Sequence, residues 1–387
     1  MSISTSTIRC SDVQLRPDAS NAVESSPGSQ DIGSVARLQT HFVTLDLMRG
    51  VAACIVAVGH YTGQLSAHLA VDFFLVLSGF ILASRYLYGA PVSFGQFLVA
   101  RLARLYPLHL ATLLLFAALC LLRFRSLPDY ADGTAETFVG HLLLMQNVGL
   151  HTSELTWNAP SWSISVELWV NLAFFFLVSR RTPTWALLVT SCVGFALLAA
   201  QAGTLATSLP NIFGLVNLGL VRGASSFLLG IVAYRTYLRL VPYRDHRIVQ
   251  GWSLRLPALA AALALMLVSR PDHRDLDFAA PWIFFLCIVL FAFDSPRWAN
   301  LMHRCSYLGI ISYSIYLMHY PIYFALRYLR EFAAGTAADA MWVTVLHDTT
   351  GGFLLYAGLV LGVSHLTYRY FELPSRTTVR KLMGAQA

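Results

Sequence analysis

The chain has 387 residues, 56% of them hydrophobic and 12% charged, and its mean hydropathy is +0.59. Even before its 25 glycines are added, the apolar share exceeds the ~45–50% of soluble domains, and charge is about half the usual ~25%. An ordinary soluble globular protein is excluded, and long apolar runs recurring from residue 43 to residue 370 imply a polytopic membrane protein. The net charge of +7 does not point to nucleic acid. Nearly all of it is Arg between apolar segments, where charge sets membrane orientation, and neither a basic face nor a binding motif is present.

Residues 1–40 are rich in Ser, Asp, Gln and Gly, with too few large apolar residues for a core, and are expected to be a disordered cytoplasmic tail. No apolar h-region or small-residue cleavage site precedes the first long hydrophobic run, so the first membrane helix is expected to act as its own insertion signal. A bilayer core of ~30 Å takes about 20 helical residues. Ten segments are long enough: 44–63, 71–88, 105–123, 161–179, 184–202, 212–235, 254–270, 278–294, 306–327 and 346–370. The stretch 137–150 is shorter and holds His141, Gln146 and Asn147, which suits a re-entrant segment. The fold class is therefore all-α, with a membrane domain over residues 41–374 and a short cytoplasmic tail over 375–387. Arg85, Arg101, Arg104, Arg180, Arg181, Arg235, Arg239, Arg244, Arg247, Arg297 and Arg304 fall on one side of a ten-helix topology, with fewer cations opposite. Both termini are then cytoplasmic and residues 124–160 lie outside. The six cysteines are scattered without CxxC spacing and read as small hydrophobes.

Ionisable residues within spans are the functional signal, because each costs ~2.5–3.5 kcal/mol at mid-bilayer. The first helix holds Arg49 and His60. Eleven residues at about 100° each make three turns plus ~20°, so the two share a face about 16.5 Å apart along the axis. Either the pair serves a site, or Arg49 snorkels and His60 ends the helix.

These residues carry a resemblance. Arg49 and His60 within LDLMRGVAACIVAVGHY, VDFFLVLSGFIL at 71–82, RLARLYPLHL at 101–110, NAPSWSISVELWV at 158–170, LGIISYSIYLMHYPI at 308–322 and SHLTYRYFELPSR at 364–376 together resemble the membrane-bound acyltransferase-3 family. The resemblance implies transfer of an acyl group, usually acetyl, from a cytoplasmic acyl-CoA to a hydroxyl of a bacterial surface glycan or related glycoside. It also implies an inner-membrane location beside membrane lipid, with glycan biosynthesis or export machinery as partners. The family often adds an extracytoplasmic transfer domain; here the membrane part is expected to act alone.

On that reading His60 is the general base and Arg49 binds the donor or holds charge on the intermediate. Arg101 and Arg104, just before the third span, are either contacts for donor phosphates or positive-inside anchors. Glu167 shares a helix face with Ser163 and Asn171. It orients His60, positions the acceptor, or pairs helices. Ser312, Tyr316, His319 and Tyr320 form a stripe that Pro321 is placed to kink; His319 is a second catalytic candidate or a structural histidine. Asp72 is expected to cap its helix in preference to acting in catalysis. Arg222, deep in a span, needs a partner such as a donor phosphate or Glu167. Trp157, Trp162 and Trp282 fit an interfacial belt. No metal is expected, since His, Cys and carboxylates show no ligand spacing. A proton-coupled transporter or lipid-linked sugar flippase is the alternative function, although the repeats and paired broken helices of carriers are not visible.

Overall fold

Each of the ten apolar segments holds a helix in the computed structural model, which describes residues 41–125, 134–149, 156–206, 211–212, 216–246, 251–269, 271–293, 305–336 and 349–383. The expectations for the tail 1–40 and for Arg247, Arg297 and Arg304 lie outside those residues. The helices are α1 (Val43–Thr62), α2 (Ala70–Leu82), α3 (Phe94–Phe124), α4 (Ala135–Leu142), α5 (Trp162–Leu177), α6 (Thr184–Gln201) and α7 (Leu218–Leu240). They continue as α8 (Trp252–Val268), α9 (Ala280–Phe291), α10 (Tyr307–Ile310), α11 (Ser312–Thr336), α12 (Thr350–Thr367) and α13 (Leu373–Leu382). A 3-10 turn at Ala67–Leu69 and a π turn at Ala83–Leu87 extend α2 at its two ends, and a second π turn, Tyr368–Glu372, joins α12 to α13. A single two-strand pairing, Asn211–Ile212 with Val216–Asn217, is the β-structure among the described residues.

The protein is an all-α integral membrane protein. Among the described residues six helical stretches are long and apolar enough to cross a bilayer by themselves: Val43–Thr62, Ala67–Leu87, Phe94–Phe124, Ala159–Leu177, Thr184–Gln201 and Thr350–Leu382. Of the other four predicted crossings, α8 is apolar but shorter, α9 has 12 residues, α7 carries Arg222, Arg235 and Arg239, and α11 carries Arg327 and Arg330. Helix α4 has eight residues. At 1.5 Å each it reaches only about 12 Å and cannot span.

Local chemistry sets the helix ends. Gly63 stops α1 in the left-handed conformation (φ 66°), donating its N–H to Gly59. A reciprocal capping box between Ser93 and Gln96 starts α3 well before its apolar stretch. Pro321 lies inside an unbroken α11 and cannot donate to the carbonyl of Leu317, four residues earlier. The side-chain amide of Asn158 donates to that carbonyl at 3.1 Å, restoring the missing hydrogen bond.

The core is built on α2 and α7, which pack closely, with α5, α6 and α9 around them. Glycine permits the crossing. A Cβ on Gly79 would lie 2.0 Å from the carbonyl oxygen of Phe227, and one on Gly230 would lie 2.0 Å from that of Val76. On the other flank, α1 packs on α10 and α11, α11 on α3 and α12, and α13 on α3.

Candidate active site

Arg49 leaves α1 toward the short α10 and the start of α11. Its Nε donates to the Gly309 carbonyl (3.2 Å) and to Ser312 Oγ (3.1 Å), and its Nη2 donates to the same carbonyl at 2.7 Å and pairs with Asp46 at 3.2 Å. Nη1 has no partner among the described residues, and the side chain lines a cavity of about 250 Å³. Arg85, Arg101 and Arg104 line the same cavity, against a single carboxylate, Glu167. Arg101 donates to the Tyr86 hydroxyl (3.3 Å) and lies over the Tyr86 and Phe97 rings, while Arg104 lies over Tyr313. Four guanidinium groups and one carboxylate give this arginine chamber a net positive lining.

His60 opens into a different cavity, of about 210 Å³, lined also by Gly59, Leu65, Ala67, His68, Pro160 and Trp162. Its Nδ1 contacts the Val56 carbonyl at 2.9 Å and His319 Nε2 at 3.3 Å. A carbonyl can only accept, so neutral His60 carries its proton on Nδ1 and its lone pair on Nε2. His319 repeats the pattern: its Nδ1 meets the Ile315 carbonyl at 3.2 Å, which leaves Nε2 to accept from His60. The imidazole is thus held with its proton on Nδ1 by a carbonyl and a second, fully buried histidine. Val71 and Tyr316 line both chambers.

The rim of the histidine chamber is tied to Asp277, in the 3-10 stretch Pro271–Ala279. Its carboxylate takes bonds from His68 Nε2 (3.2 Å), Thr204 Oγ1 (2.9 Å), the Leu205 N–H (3.2 Å) and the Ser269 hydroxyl. Burial alone would raise this carboxyl; the bonds from His68, Ser269 and Thr204 and the nearby imidazole outweigh it and hold the group at about 2.

Residues 42–369 match the acyltransferase-3 family, described as an acyltransferase domain. The chain belongs to the acyltransferase-3 family. It is also 36% identical over 182 residues to "Protein 2 in picA locus" of Rhizobium radiobacter, a match covering 42% of this chain and 95% of that protein. No solved structure matches. Acyl transfer is therefore the class of reaction this acyltransferase performs.

Several expectations change on the structure of the acyltransferase. Arg222 pairs with neither Glu167 nor an open site: its Nη2 meets Asp72 Oδ2 at 2.7 Å and its Nε meets Oδ1 at 3.2 Å, with both side chains fully buried. The Leu205 carbonyl accepts from Nη1 and the His68 carbonyl from Nη2, and Trp162 covers its face at 5.4 Å. Asp72 is accordingly not a helix cap; its oxygens are taken by Arg222 and Ser226. Glu167 lines the arginine chamber, and the groups holding His60 are Val56 and His319. Ser163 lines the arginine chamber too, with its hydroxyl 2.7 Å from that of Tyr316. Asn171, on the same helix face, is fully buried without a partner among the described residues. Arg101 and Arg104 lie within α3, since that helix begins at Phe94. Trp157 and Trp162 are buried, at 1% and 2% exposure, and only Trp282 keeps a belt-like exposure of 37%.

Sequence reasoning passed over Arg85, Asp46, His68 and Asp277. Arg85 was counted as loop charge, and His68 and Asp277 lie outside periodic segments. Among the described residues no group of three His, Cys, Asp or Glu is placed to hold a metal.

Proposed function

We propose that the protein transfers an acyl group, most simply acetyl, from a cytoplasmic acyl-CoA to a hydroxyl of a saccharide or glycoside, in the inner membrane of a bacterium with both termini cytoplasmic. The observation that carries this reading is the division of α1 between two adjoining chambers, Arg49 in one rich in arginine and His60 in the other. An acyl-CoA presents phosphates at one end and a thioester at the other. Arg49, Arg85, Arg101 and Arg104 suit the phosphates, leaving the thioester directed toward the shared wall.

The chemistry follows from the His60 tautomer. His60 Nε2 takes the proton of the acceptor hydroxyl as its oxygen attacks the thioester carbonyl. The C–O bond forms, the tetrahedral oxyanion collapses, and the C–S bond breaks. The thiolate leaves and recovers the proton from His60. While charged, His60 is held through Nδ1 by the Val56 carbonyl and by His319. Glu167 sets the charge and position of the arginine cluster. Surface-glycan biosynthesis or export machinery would supply the acceptor.

The test combines variants with sidedness. His60→Ala should lower transfer about 10²- to 10⁴-fold with the protein still folded and inserted, and Arg49→Lys should weaken donor use by removing the multi-donor guanidinium. Acetyl-CoA added outside sealed inside-out vesicles should acylate lumenal saccharide, and should fail with right-side-out vesicles. Wild-type rates in His60→Ala at matched expression, or equal transfer from both faces, would refute the reading.

A further inference from the structure

The two chambers meet at Val71 and Tyr316, and Tyr316 is the aromatic, hydrogen-bonded part of that junction. The Tyr316 hydroxyl is latched to α5 and the turn before it, 2.7 Å from Ser163 Oγ and 3.0 Å from the Pro160 carbonyl. The ring packs edge-on against Phe74 at 5.7 Å and against His319 at 5.9 Å. It is 5% exposed although it lines both cavities, so it is a wall between them.

We propose that Tyr316 is the partition between donor and acceptor chambers and the residue that restricts transfer to short acyl groups. The inference rests on the donor reading above. If the nucleotide end occupies the arginine chamber and the carbonyl must come within reach of His60 Nε2, the C–S bond lies at the neck beside Tyr316. Everything beyond the carbonyl then has to share the histidine chamber, about 210 Å³, with the incoming hydroxyl. The Tyr316 ring fills the space into which a longer chain would fold. Its packing against Phe74 and His319 holds it there, the latch to Ser163 and Pro160 only adding to it, and with the ring in place water from one chamber does not reach the other. A hydrophobic pocket discriminates one added methylene by ~10–200-fold, which sets the scale of the effect.

The experiment uses the full-length protein in sealed membrane vesicles, with Y316F and Y316A beside the wild type. Donor preference across acetyl-, butyryl- and hexanoyl-CoA is read as thiol release, with saccharide or water as acceptor, so the profile is obtained even if the acceptor class is wrong. Y316F, which keeps the ring, should retain the short-chain profile. Y316A should shift it toward the longer donors by at least about tenfold per step lost. The wall is read separately, without any donor: Leu65→Cys, in the histidine chamber of a cysteine-free background, should react with an impermeant thiol reagent from one membrane face only. Adding Y316A should make it react from both. Should Y316A fail to fold, Y316L, also lacking the ring, carries the same expectations. Reaction from both faces with Tyr316 intact, or an unchanged chain-length profile in a folded ring-less variant, overturns the proposal. The expected profile without any saccharide product would count against the acceptor reading alone.

Discussion

Replacing His319 tests how the base is held. The His60 Nδ1–H is shared between the Val56 carbonyl at 2.9 Å and His319 Nε2 at 3.3 Å. When His60 takes a proton, both contacts become hydrogen bonds from a cation, each worth ~1.5–3 kcal/mol. His319→Leu removes the longer one and leaves the shorter, which preserves the tautomer. The longer distance places the loss near the lower bound, ~1.5 kcal/mol, and at ~1.4 kcal/mol per decade kcat should fall about tenfold. KM for donor should stay unchanged, since His319 lines neither chamber. His319→Gln offers a carbonyl oxygen in place of Nε2 and should recover most of the rate. Initial rates of labelled acetyl transfer in membranes, normalised to folded protein, measure all three. A His319→Leu variant within twofold of wild type would refute the reasoning. So would a loss as large as that of His60→Ala, which would make His319 itself the proton carrier.

Arg222→Ala should destabilise the folded protein by about 3–5 kcal/mol by leaving Asp72 charged and unpaired, while Arg222→Met with Asp72→Leu should restore most of it; a double-mutant cycle from unfolding in detergent measures the coupling. Gly230→Val forces a side chain against the Val76 carbonyl and should cost at least ~1–3 kcal/mol in the same assay. Because the Asp277 carboxyl is held down at about 2, below an unfolded value of ~3.9, its contribution to stability is complete above about pH 4. It is lost as pH falls toward 2. The stability advantage of wild type over Asp277→Asn, followed by thermal unfolding against pH, should shrink over that window.

The helices were legible because a bilayer demands a length of apolar sequence that few other structures need, and each of the ten segments of that length holds a helix among the described residues. The face shared by Arg49 and His60 was legible for the same kind of reason, since 3.6 residues per turn is a property of one helix alone. Pairing between helices was not. Nothing in the neighbourhood of Arg222 names Asp72, 150 residues away, as its partner, and helical period alone did not separate the chambers of Glu167 and His60. The early start of α3 was readable from its capping box, Ser93 with Gln96, but hydropathy outweighed it. Trp157 and Trp162 were assigned to the interface by their place near span ends, whereas the turn before α5 carries both into the interior.

The Asp72–Arg222 pair also constrains how the chain is made. Each residue entering lipid alone incurs ~2.5–3.5 kcal/mol, and α7, with three arginines, is not among the six stretches long and apolar enough to cross a bilayer by themselves. Helix α2 precedes α7 and must wait for its counter-ion while 150 further residues are synthesised, roughly 8–30 s at ~5–20 residues per second. During that interval the Asp72 carboxylate has no Arg222 to pair with, because α7 follows α2 in the chain. Truncations ending before residue 218 should therefore leave α2 as a substrate for membrane quality control, even though its hydropathy alone describes an adequate span.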